Sequence, residues 1–223
     1  LADGGEGSHD CLRELRPDLH ETPLDLPDSI DQIIETTYLF EQTPRIMHAY
    51  LETARVIGLE LPGARGRKLI HRSTAGVGRW MRHVIDASDG PLHLHLFLGG
   101  SATSDGGFGL ARAVGFRFRD TDGELIEEFQ HTRRLAAVEA PEGRAPDTIS
   151  VYTDVQTPLT GPDGAARLFG PQKGASPAEV EELEELLAHL GAVLAKQDPA
   201  GQPPGHTTPG AGAAGGMALP LLY

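Results

Sequence analysis

Alternating apolar and polar residues in the segment PLHLHLF predict a β-strand over residues 91–98. Its leucines stand at every second position, so they share one face of the strand. The chain then runs into LGGSATSDGG at residues 98–107, which holds four glycines, three hydroxyl residues and one carboxylate. A strand that ends in so flexible a loop indicates either a plain surface turn or a backbone that comes very close to something charged.

A first helix is predicted over residues 43–57, because apolar residues recur there every three or four positions. Thr43 is a candidate N-cap, Pro44 suits the first helical turn, and Gly58 follows the last turn.

Three further helices are predicted from the same spacing. They span residues 76–87, about 106–114, and 177–197. The last is the clearest, because Ser176 and Glu179 form an S-x-x-E capping box around a proline at the first helical position. Its predicted buried face consists of Val180, Leu183, Leu186, Leu187, Leu190, Val193 and Leu194.

The remaining patterns are shorter. Residues 148–155 read as a second buried strand, residues 115–128 as a hairpin around the turn DTDG, and residues 198–216 show no periodicity. Strands therefore alternate with helices, and two strands end in glycine-rich loops. This pattern predicts an α/β fold with a mixed or parallel sheet flanked by helices.

Composition excludes several classes of protein. The 223 residues include 32 acids and 19 bases, a formal net charge of -13, so nucleic acid is not an expected partner. No apolar run reaches about 18 residues, so no membrane span is predicted. The single cysteine, Cys11, excludes an internal disulfide and fits a reducing cytoplasm. The oligomeric state is left open.

The order strand, glycine loop and helix is typical of sites that bind anions through backbone N–H groups. In this interpretation Asp105 is a Mg²⁺ ligand or a base for a substrate hydroxyl. The alternative is a glycine-rich turn in which Asp105 caps the next helix. The candidate ligands for phosphate or substrate are Gly99, Gly100, Ser101, Thr103, Ser104, Gly106 and Gly107.

Other loops carry further candidate groups. Asp3 and Glu6 lie among glycines in ADGGEG and are candidate metal ligands. Asp154 lies at the end of the strand predicted over residues 148–155. Lys173, in FGPQKG, is placed to face a phosphate, although taken alone it is more simply a surface lysine.

Other patterns give weaker evidence for a function. His93 and His95 share a strand face, but no cysteine or third histidine stands at a telling distance, so no metal site is predicted there. Cys11 reads as an inert small residue. GAGAAG at 210–215 matches a dinucleotide fingerprint only formally, because it follows a proline-rich coil, and no Walker A motif occurs.

The loops taken together resemble those of one family, the type I glycerate kinases. The segments that carry the resemblance are ADGGEG (2–7), RSTAGVG (72–78), GGSATSDGG (99–107), DTDGEL (120–125), TDVQTPLTGPDGAARLFGPQKGAS (153–176) and PGAGAAGG (209–216). They follow the family's order and approximate spacing and cover nearly the whole chain.

The resemblance implies two α/β domains, one inserted into the other. Residues 1–40 would be a border segment of the Rossmann-like domain, and residues 41–223 the inserted domain with its return segment. The implied reaction transfers the γ-phosphate of ATP to a hydroxyl of D-glycerate with Mg²⁺, and the bacterial family typically makes 2-phosphoglycerate.

The same resemblance suggests roles for individual residues. Asp105 or Asp154 would orient the attacking hydroxyl and accept its proton, or hold Mg²⁺, and Lys173 would offset charge on the transferring group. Ser73 and Thr74, in RSTAGVG, join the candidate substrate ligands.

The sequence departs from the family pattern at Ser104 (usually Asn), Gln156 and Thr157 (usually Asp and Asn) and Ala75 (usually Tyr). The family's N-terminal lysine segment and C-terminal TGEGR-like segment do not occur, so we expect a fragment. Two alternatives stay open: a truncated or degenerate homologue that binds a sugar acid without turnover, and a non-catalytic α/β interaction module.

Overall fold

The structure, a computed structural model, describes residues 4–197 and 208–222. Its strands are β1 (His20–Pro27), β2 (Ile33–Gln42), β3 (Met47–Glu52), β4 (Leu92–Phe97), β5 (Arg117–Asp120), β6 (Leu135–Glu139) and β7 (Thr148–Tyr152). Five of them form one mixed sheet in the order β1-β2-β3-β4-β7, and β5 pairs with β6 in a small separate sheet. In the large sheet β1, β2 and β3 are antiparallel neighbours, whereas β3, β4 and β7 run parallel.

Within the described ranges, six helices accompany these strands: α1 (Ser8–Leu15), α2 (Ala54–Ile57), α3 (Ala75–Ala87), α4 (Phe108–Val114), α5 (Ala165–Phe169) and α6 (Pro177–Gln197). Short 3₁₀ turns lie at Leu69–His71, Phe129–Arg134, Ala213–Gly215 and Leu219–Leu222. Among the residues that the structure describes, no helix is both long enough and apolar enough to cross a bilayer.

One core lies between the central strands and α3. The strands contribute Met47, Ala49 and Leu51 from β3 and the leucines of β4, and α3 contributes the fully buried Trp80. Burying this apolar face holds the sheet and helix together, since transfer from water contributes about 25 cal/mol per Å² of apolar surface. Because β4 runs directly into the glycine-rich loop, this core fixes where the loop begins.

A second core surrounds α6. The predicted apolar face of this helix is buried throughout and packs with Phe108, Phe118 and Leu135. Ser176 Oγ accepts the Glu179 amide at 3.3 Å, which is one half of the predicted capping box. The Glu179 side chain instead accepts the Ile70 amide at 2.9 Å, so it ties α6 to a neighbouring segment.

The helix predicted over residues 43–57 is wrong. Thr43 Oγ1 accepts the Ile46 amide at 3.0 Å in a tight turn between β2 and β3, and only Ala54–Ile57 is helical. Met47, Ala49 and Leu51 alternate in burial because β3 pairs with β2 on one side and β4 on the other. Sheet pairing therefore overrides the helical spacing of the apolar residues.

Two other predictions need correction. The strand predicted over residues 148–155 ends at Tyr152, and it is an edge strand with exposed side chains rather than a buried strand. Within residues 115–128 the turn forms one bridge, Arg119 to Leu125, whereas the full partner of β5 is β6, beyond the predicted hairpin.

The other predicted elements are confirmed within a residue or two: α3, β4, α4 and α6. The fold class, a mixed sheet flanked by helices, is confirmed as well. Of the segment predicted to lack periodicity, residues 198–207 lie outside the described residues, and the rest forms turns around Ala213–Gly215.

Candidate active site

Residues 98–107, here called the glycine loop, connect β4 to α4. Segments distant in sequence converge on this loop. Gly4 contacts its first half, Lys173 its middle, and Thr74 and Gly215 its second half. The structure therefore brings most of the predicted site residues into one region.

The first two glycines of the loop pack closely against residues 4–6 of the chain. The Gly99 amide donates to the Gly4 carbonyl at 2.8 Å, and a Cβ on Gly99 would lie 2.3 Å from Gly5 Cα. Gly100 has φ +74°, and a Cβ there would meet the Glu6 side chain at 2.6 Å. The first half of the loop thus packs closely against residues 4–6 of the protein itself, while its approach to a charged ligand stays a prediction.

Asp105 is a buried anchor between the starts of two helices. Its Oδ2 accepts the Thr74 amide (2.9 Å), the Thr74 hydroxyl (2.9 Å) and the Gly109 amide (3.1 Å), and its Oδ1 accepts the Gly107 amide at 3.2 Å. Burial raises the pKa of Asp105, and these hydrogen bonds act in the opposite direction. Asp105 satisfies amides at the start of α4, as the helix-cap alternative predicted, while its role as base or metal ligand stays a prediction.

Lys173 is buried, so its interpretation as a surface lysine is wrong. Its side chain is 3% exposed, and Nζ donates to the Thr103 carbonyl at 2.6 Å and to Ser101 Oγ at 3.2 Å. Burial, and then the nearby Arg72 guanidinium, lower the pKa of Lys173 to about 7, while Asp105 opposes the shift. The ammonium group therefore braces the glycine loop from within.

Two hydroxyls that the sequence offered for phosphate binding point into the protein. Thr103 and Ser104 are fully buried, and neither side-chain oxygen has a hydrogen-bond partner in the described part of the chain. Ser73 is different: it is half-buried and its Oγ accepts the Ala75 amide at 3.1 Å at the start of α3.

A cavity of about 580 Å³ lies beside Asp105 and the start of α3. We call it the arginine cavity, because its lining includes Arg67, Arg72, Arg79 and Arg112. Arg67 is paired with an aspartate at 2.8 Å, and Arg112 with a glutamate.

The other two arginines of the cavity have no carboxylate partner in the described part of the chain. Arg72 is buried and donates to the backbone carbonyls of Arg67 and Ala102, and Arg79 is exposed on α3. Neither Arg72 nor Arg79 takes part in an ion pair within the described ranges 4–197 and 208–222. Guanidinium groups in this state match carboxylate and phosphate oxygens.

A smaller cavity, of about 120 Å³, lies on the opposite half of the glycine loop. Gly99, Gly100 and Ser101 form one side of it, and Asp154 and Lys173 are among the other lining residues. Asp154 is exposed, so it presents a carboxylate to a ligand in a way that buried Asp105 does not.

Of the two predicted metal ligands in ADGGEG, only Glu6 lies within the described residues; Asp3 lies outside them. Glu6 borders Gly100 and faces a third cavity with Glu52 and Glu60. Burial and then the two neighbouring carboxylates raise the pKa of Glu6. Glu6 therefore stays a candidate metal ligand, at the third cavity rather than the small one.

The prediction of the site from the sequence did not include the arginines of the large cavity. A signal for one of them was present, since Arg72 directly precedes Ser73 and Thr74 in RSTAGVG. Arg79 lies within α3, and nothing in the sequence alone distinguishes it from a solvated helix residue.

These features define a class of protein. A parallel strand leads through a glycine loop into a helix, and unpaired guanidinium groups line a cavity beside it; this arrangement is typical of α/β proteins that bind anionic ligands.

Comparison with known proteins narrows the class. Residues 1–223 match the profile of the glycerate kinase family, and the chain belongs to that family. It is 33% identical over 227 residues to a glycerate kinase of Halalkalibacterium halodurans, covering all of this chain and 57% of that protein. It is 36% identical over 178 residues to the glycerate 2-kinase of Escherichia coli K12, covering 78% of this chain and 45% of that protein.

The fold agrees with this assignment. A solved structure described as a glycerate kinase 2 from Salmonella typhimurium LT2 superposes with a TM-score of 0.85 at 33% identity, covering 99% of this chain and 58% of that one. The chain therefore spans about half the length of the curated relatives it matches.

Proposed function

We propose that the protein to which this chain belongs is an ATP-dependent glycerate kinase, which transfers the γ-phosphate of ATP to a hydroxyl of D-glycerate. Family membership and the names of its relatives support this activity. We expect 2-phosphoglycerate as the product. The single Cys11 remains our reason to expect a cytoplasmic location.

The observation that carries the proposal is the arginine cavity. It places the unpaired charges of Arg72 and Arg79 beside the Ser73 hydroxyl in a space of about 580 Å³. D-Glycerate is a small hydroxy acid, so its carboxylate would pair with a guanidinium group and its hydroxyls with polar groups such as Ser73. Phosphoryl transfer needs mainly such positioning and neutralisation of charge.

We further propose that the small cavity serves the phosphate side of the reaction. Gly99, Gly100 and Ser101 would present donors there, and Lys173 would offset charge from behind the loop. Asp154 would orient the attacking hydroxyl or help to hold a metal, because its carboxylate is exposed at this cavity. Asp105, together with Thr74, Thr103, Ser104, Gly106 and Gly107, would shape the loop rather than react.

Mg²⁺ fits the residues present. Asp154 lines the small cavity and Glu6 lies beside Gly100 in a neighbouring cavity, so either carboxylate would supply oxygen ligands; Mg²⁺ is usually held by one or two carboxylates plus substrate phosphates. When bound, Mg²⁺ would neutralise charge on the phosphate oxygens. Asp3 stays a candidate ligand outside the described residues.

The domain division also remains a proposal. Residues 41–223 would form the inserted domain with its return segment, and residues 1–40 the border of a Rossmann-like domain. β2 continues across residue 40, so the border would join the inserted domain through a shared strand.

A second candidate function is binding of a sugar acid without turnover by this chain. It is favoured by the buried state of Asp105, whose carboxylate accepts four hydrogen bonds from within the protein. The two candidates differ in turnover and not in substrate affinity.

A ³¹P NMR time course with Mg-ATP and D-glycerate tests the proposal, after circular dichroism has shown that the chain is folded. A new phosphomonoester signal would establish the kinase and show which hydroxyl reacts. Calorimetry with D-glycerate should give saturable heat, and Arg79→Gln should weaken it, whereas Arg45→Gln, an exposed arginine on the β2–β3 turn, should not.

The remaining outcomes separate the alternatives. Saturable heat without a phosphomonoester would favour binding without turnover. The absence of both from a folded chain would contradict the proposed site and favour the interaction module. Asp154→Asn should abolish turnover but keep the D-glycerate heat if Asp154 acts on the phosphate side.

A further inference from the structure

Three histidines cluster on one face of the large sheet, away from the glycine loop. His48 lies on β3, and His93 and His95 lie on the parallel neighbour β4. Strand register pairs His48 with His93, and the two-residue period puts His95 on the same face. The opposite face of these strands holds the apolar core, so the core does not require histidine at these positions.

We propose that His48, His93 and His95 form a binding site for a divalent transition-metal ion, and that Zn²⁺ is the ion their chemistry fits best. One ring nitrogen from each lies within 4.8 Å of the others. Within the residues that the structure describes, this is the group of three that meets that distance.

The distances suit a zinc ion. His48 Nδ1 and His95 Nε2 are 3.1 Å apart. A Zn–N bond of about 2.0–2.1 Å in tetrahedral geometry places two ligand nitrogens about 3.4 Å from each other. Small side-chain rotations would therefore bring all three rings onto one ion, with a fourth position left for water.

Neighbouring hydroxyl groups orient the rings. His95 Nδ1 lies 3.0 Å from the Tyr152 hydroxyl. The other ring nitrogen, Nε2, therefore faces His48. His93 Nε2 lies 2.8 Å from Ser150 Oγ. Hydrogen bonds of this kind fix the tautomer of metal-binding histidines.

The rings of His93 and His95 favour the neutral form. Burial, then the neighbouring His93 and His48, lower the pKa of His95 to about 4, and burial lowers the pKa of His93. Neutral imidazole is the form that binds metals. His48 and His93 are only half-buried and Tyr152 is exposed, so an ion can reach the site from solvent.

A network of stacked, hydrogen-bonded imidazoles is the competing explanation. The His93 and His95 rings are 3.9 Å apart, and Tyr50 stacks on His95 at 4.6 Å. Such a network would explain the 3.1 Å contact without an ion, and the experiment below separates the two explanations.

The test uses the chain without a polyhistidine tag, stripped with a chelator, and titrated with Zn²⁺ against a chromophoric competitor. We expect one ion per chain, and no displacement by a large excess of Mg²⁺, which prefers oxygen ligands. His48→Gln and His93→Gln should each weaken binding about tenfold or more, since outer-shell changes alone cost about 10–100-fold. The matched control is His20→Gln, an exposed histidine on β1.

Two further readouts keep the result independent of folding defects and of catalysis. Zn²⁺ should raise the Tm of the wild-type chain and of His20→Gln but not of the double variant His48→Gln/His93→Gln. Imidazole ¹⁵N signals of the three histidines should shift with Zn²⁺. Undiminished binding by a folded double variant, or no binding by the wild-type chain, would overturn the proposal in favour of the imidazole network.

Discussion

The amide and the hydroxyl of Thr74 both donate to the same carboxylate oxygen of Asp105, each at 2.9 Å. Thr74 Oγ1 also accepts the Leu110 amide at 2.8 Å. Through these two residues the start of α3 is tied to the start of α4 and to the glycine loop. The anchor keeps Ser73 at the rim of the arginine cavity, because Ser73 directly precedes Thr74.

Asp105→Asn should destabilise the fold. An amide at this position brings N–H donors against the Thr74 and Gly109 amides and removes a buried charge that accepts four hydrogen bonds. We expect a loss of about 1.5–3 kcal/mol in the free energy of unfolding, the range for hydrogen bonds to charged groups. Urea denaturation followed by circular dichroism measures it.

Asp154→Asn is the matched control, because Asp154 is exposed. Its effect on the free energy of unfolding should stay within about 0.5 kcal/mol. If Asp105→Asn instead unfolds like the wild type and loses only turnover, Asp105 is a catalytic group and the anchor role is wrong.

The sequence predicted elements well where one periodicity ran uninterrupted. α6 and β4 carry long stripes of leucine, so helix and strand were both recognisable. The prediction for residues 43–57 was wrong. Ile46 and Tyr50 fit a helix, but Met47, Ala49 and Leu51 fit a strand equally well. Pairing with β2 and β4 decides between them, and that pairing is a property of the whole fold.

The site was predictable as a region but not in the roles of its residues. The glycine-rich segments indicated which loops converge on the site, because a strand followed by a glycine loop and a helix is typical of anion-binding sites. Burial cannot be read from one segment, so Lys173 looked exposed and Arg72 was overlooked. His48 was missed as a partner of His93 because 45 residues separate two side chains that strand register places side by side.

Gly99→Ala should destabilise the protein through the contact with Gly5. The added Cβ would lie 2.3 Å from Gly5 Cα, so the loop or residues 4–6 must shift. Forcing an extra methyl group into a packed site costs about 1–3 kcal/mol. Gly90→Ala is the control, because a Cβ on Gly90 meets nothing within 4 Å. Equal stability of the two variants would show that Gly99 is not needed for packing.

Lys173 should make stability depend on pH. Its pKa falls from 10.5 to about 7 on folding, so between these values the unfolded chain binds more protons than the folded chain. The Lys173 contribution to stability therefore rises with pH from about 7 to 10.5. Lys173→Met removes the titrating group.

Urea denaturation of wild type and Lys173→Met at several pH values across this window measures the difference in slope. The wild-type free energy of unfolding should increase relative to the variant as pH rises. Parallel curves would mean that Lys173 keeps its charge in the folded protein, held by Asp105 and the Thr103 carbonyl.

Glu52→Gln should loosen the start of α1. The buried Glu52 carboxylate accepts the Gly7 amide at 3.2 Å and the His9 amide at 2.7 Å, where the helix dipole favours negative charge. Because a neutral amide loses the charge and offers only one acceptor oxygen, we expect a loss of about 1–2 kcal/mol in the free energy of unfolding.

Glu60→Gln separates this anchoring from simple relief of repulsion. Burial and then the charges of Glu60 and Glu52 raise the pKa of Glu6, so either variant should move that pKa back toward its ordinary value, as followed by carboxyl ¹³C NMR. Only Glu52→Gln should also lower stability, because within the described residues the exposed Glu60 accepts no hydrogen bond from the start of α1, whereas Glu52 accepts two. Equal loss of stability in both variants would show that Glu52 acts through long-range charge interactions rather than its two hydrogen bonds. In that case this carboxylate does not hold residues 4–7 against the glycine loop.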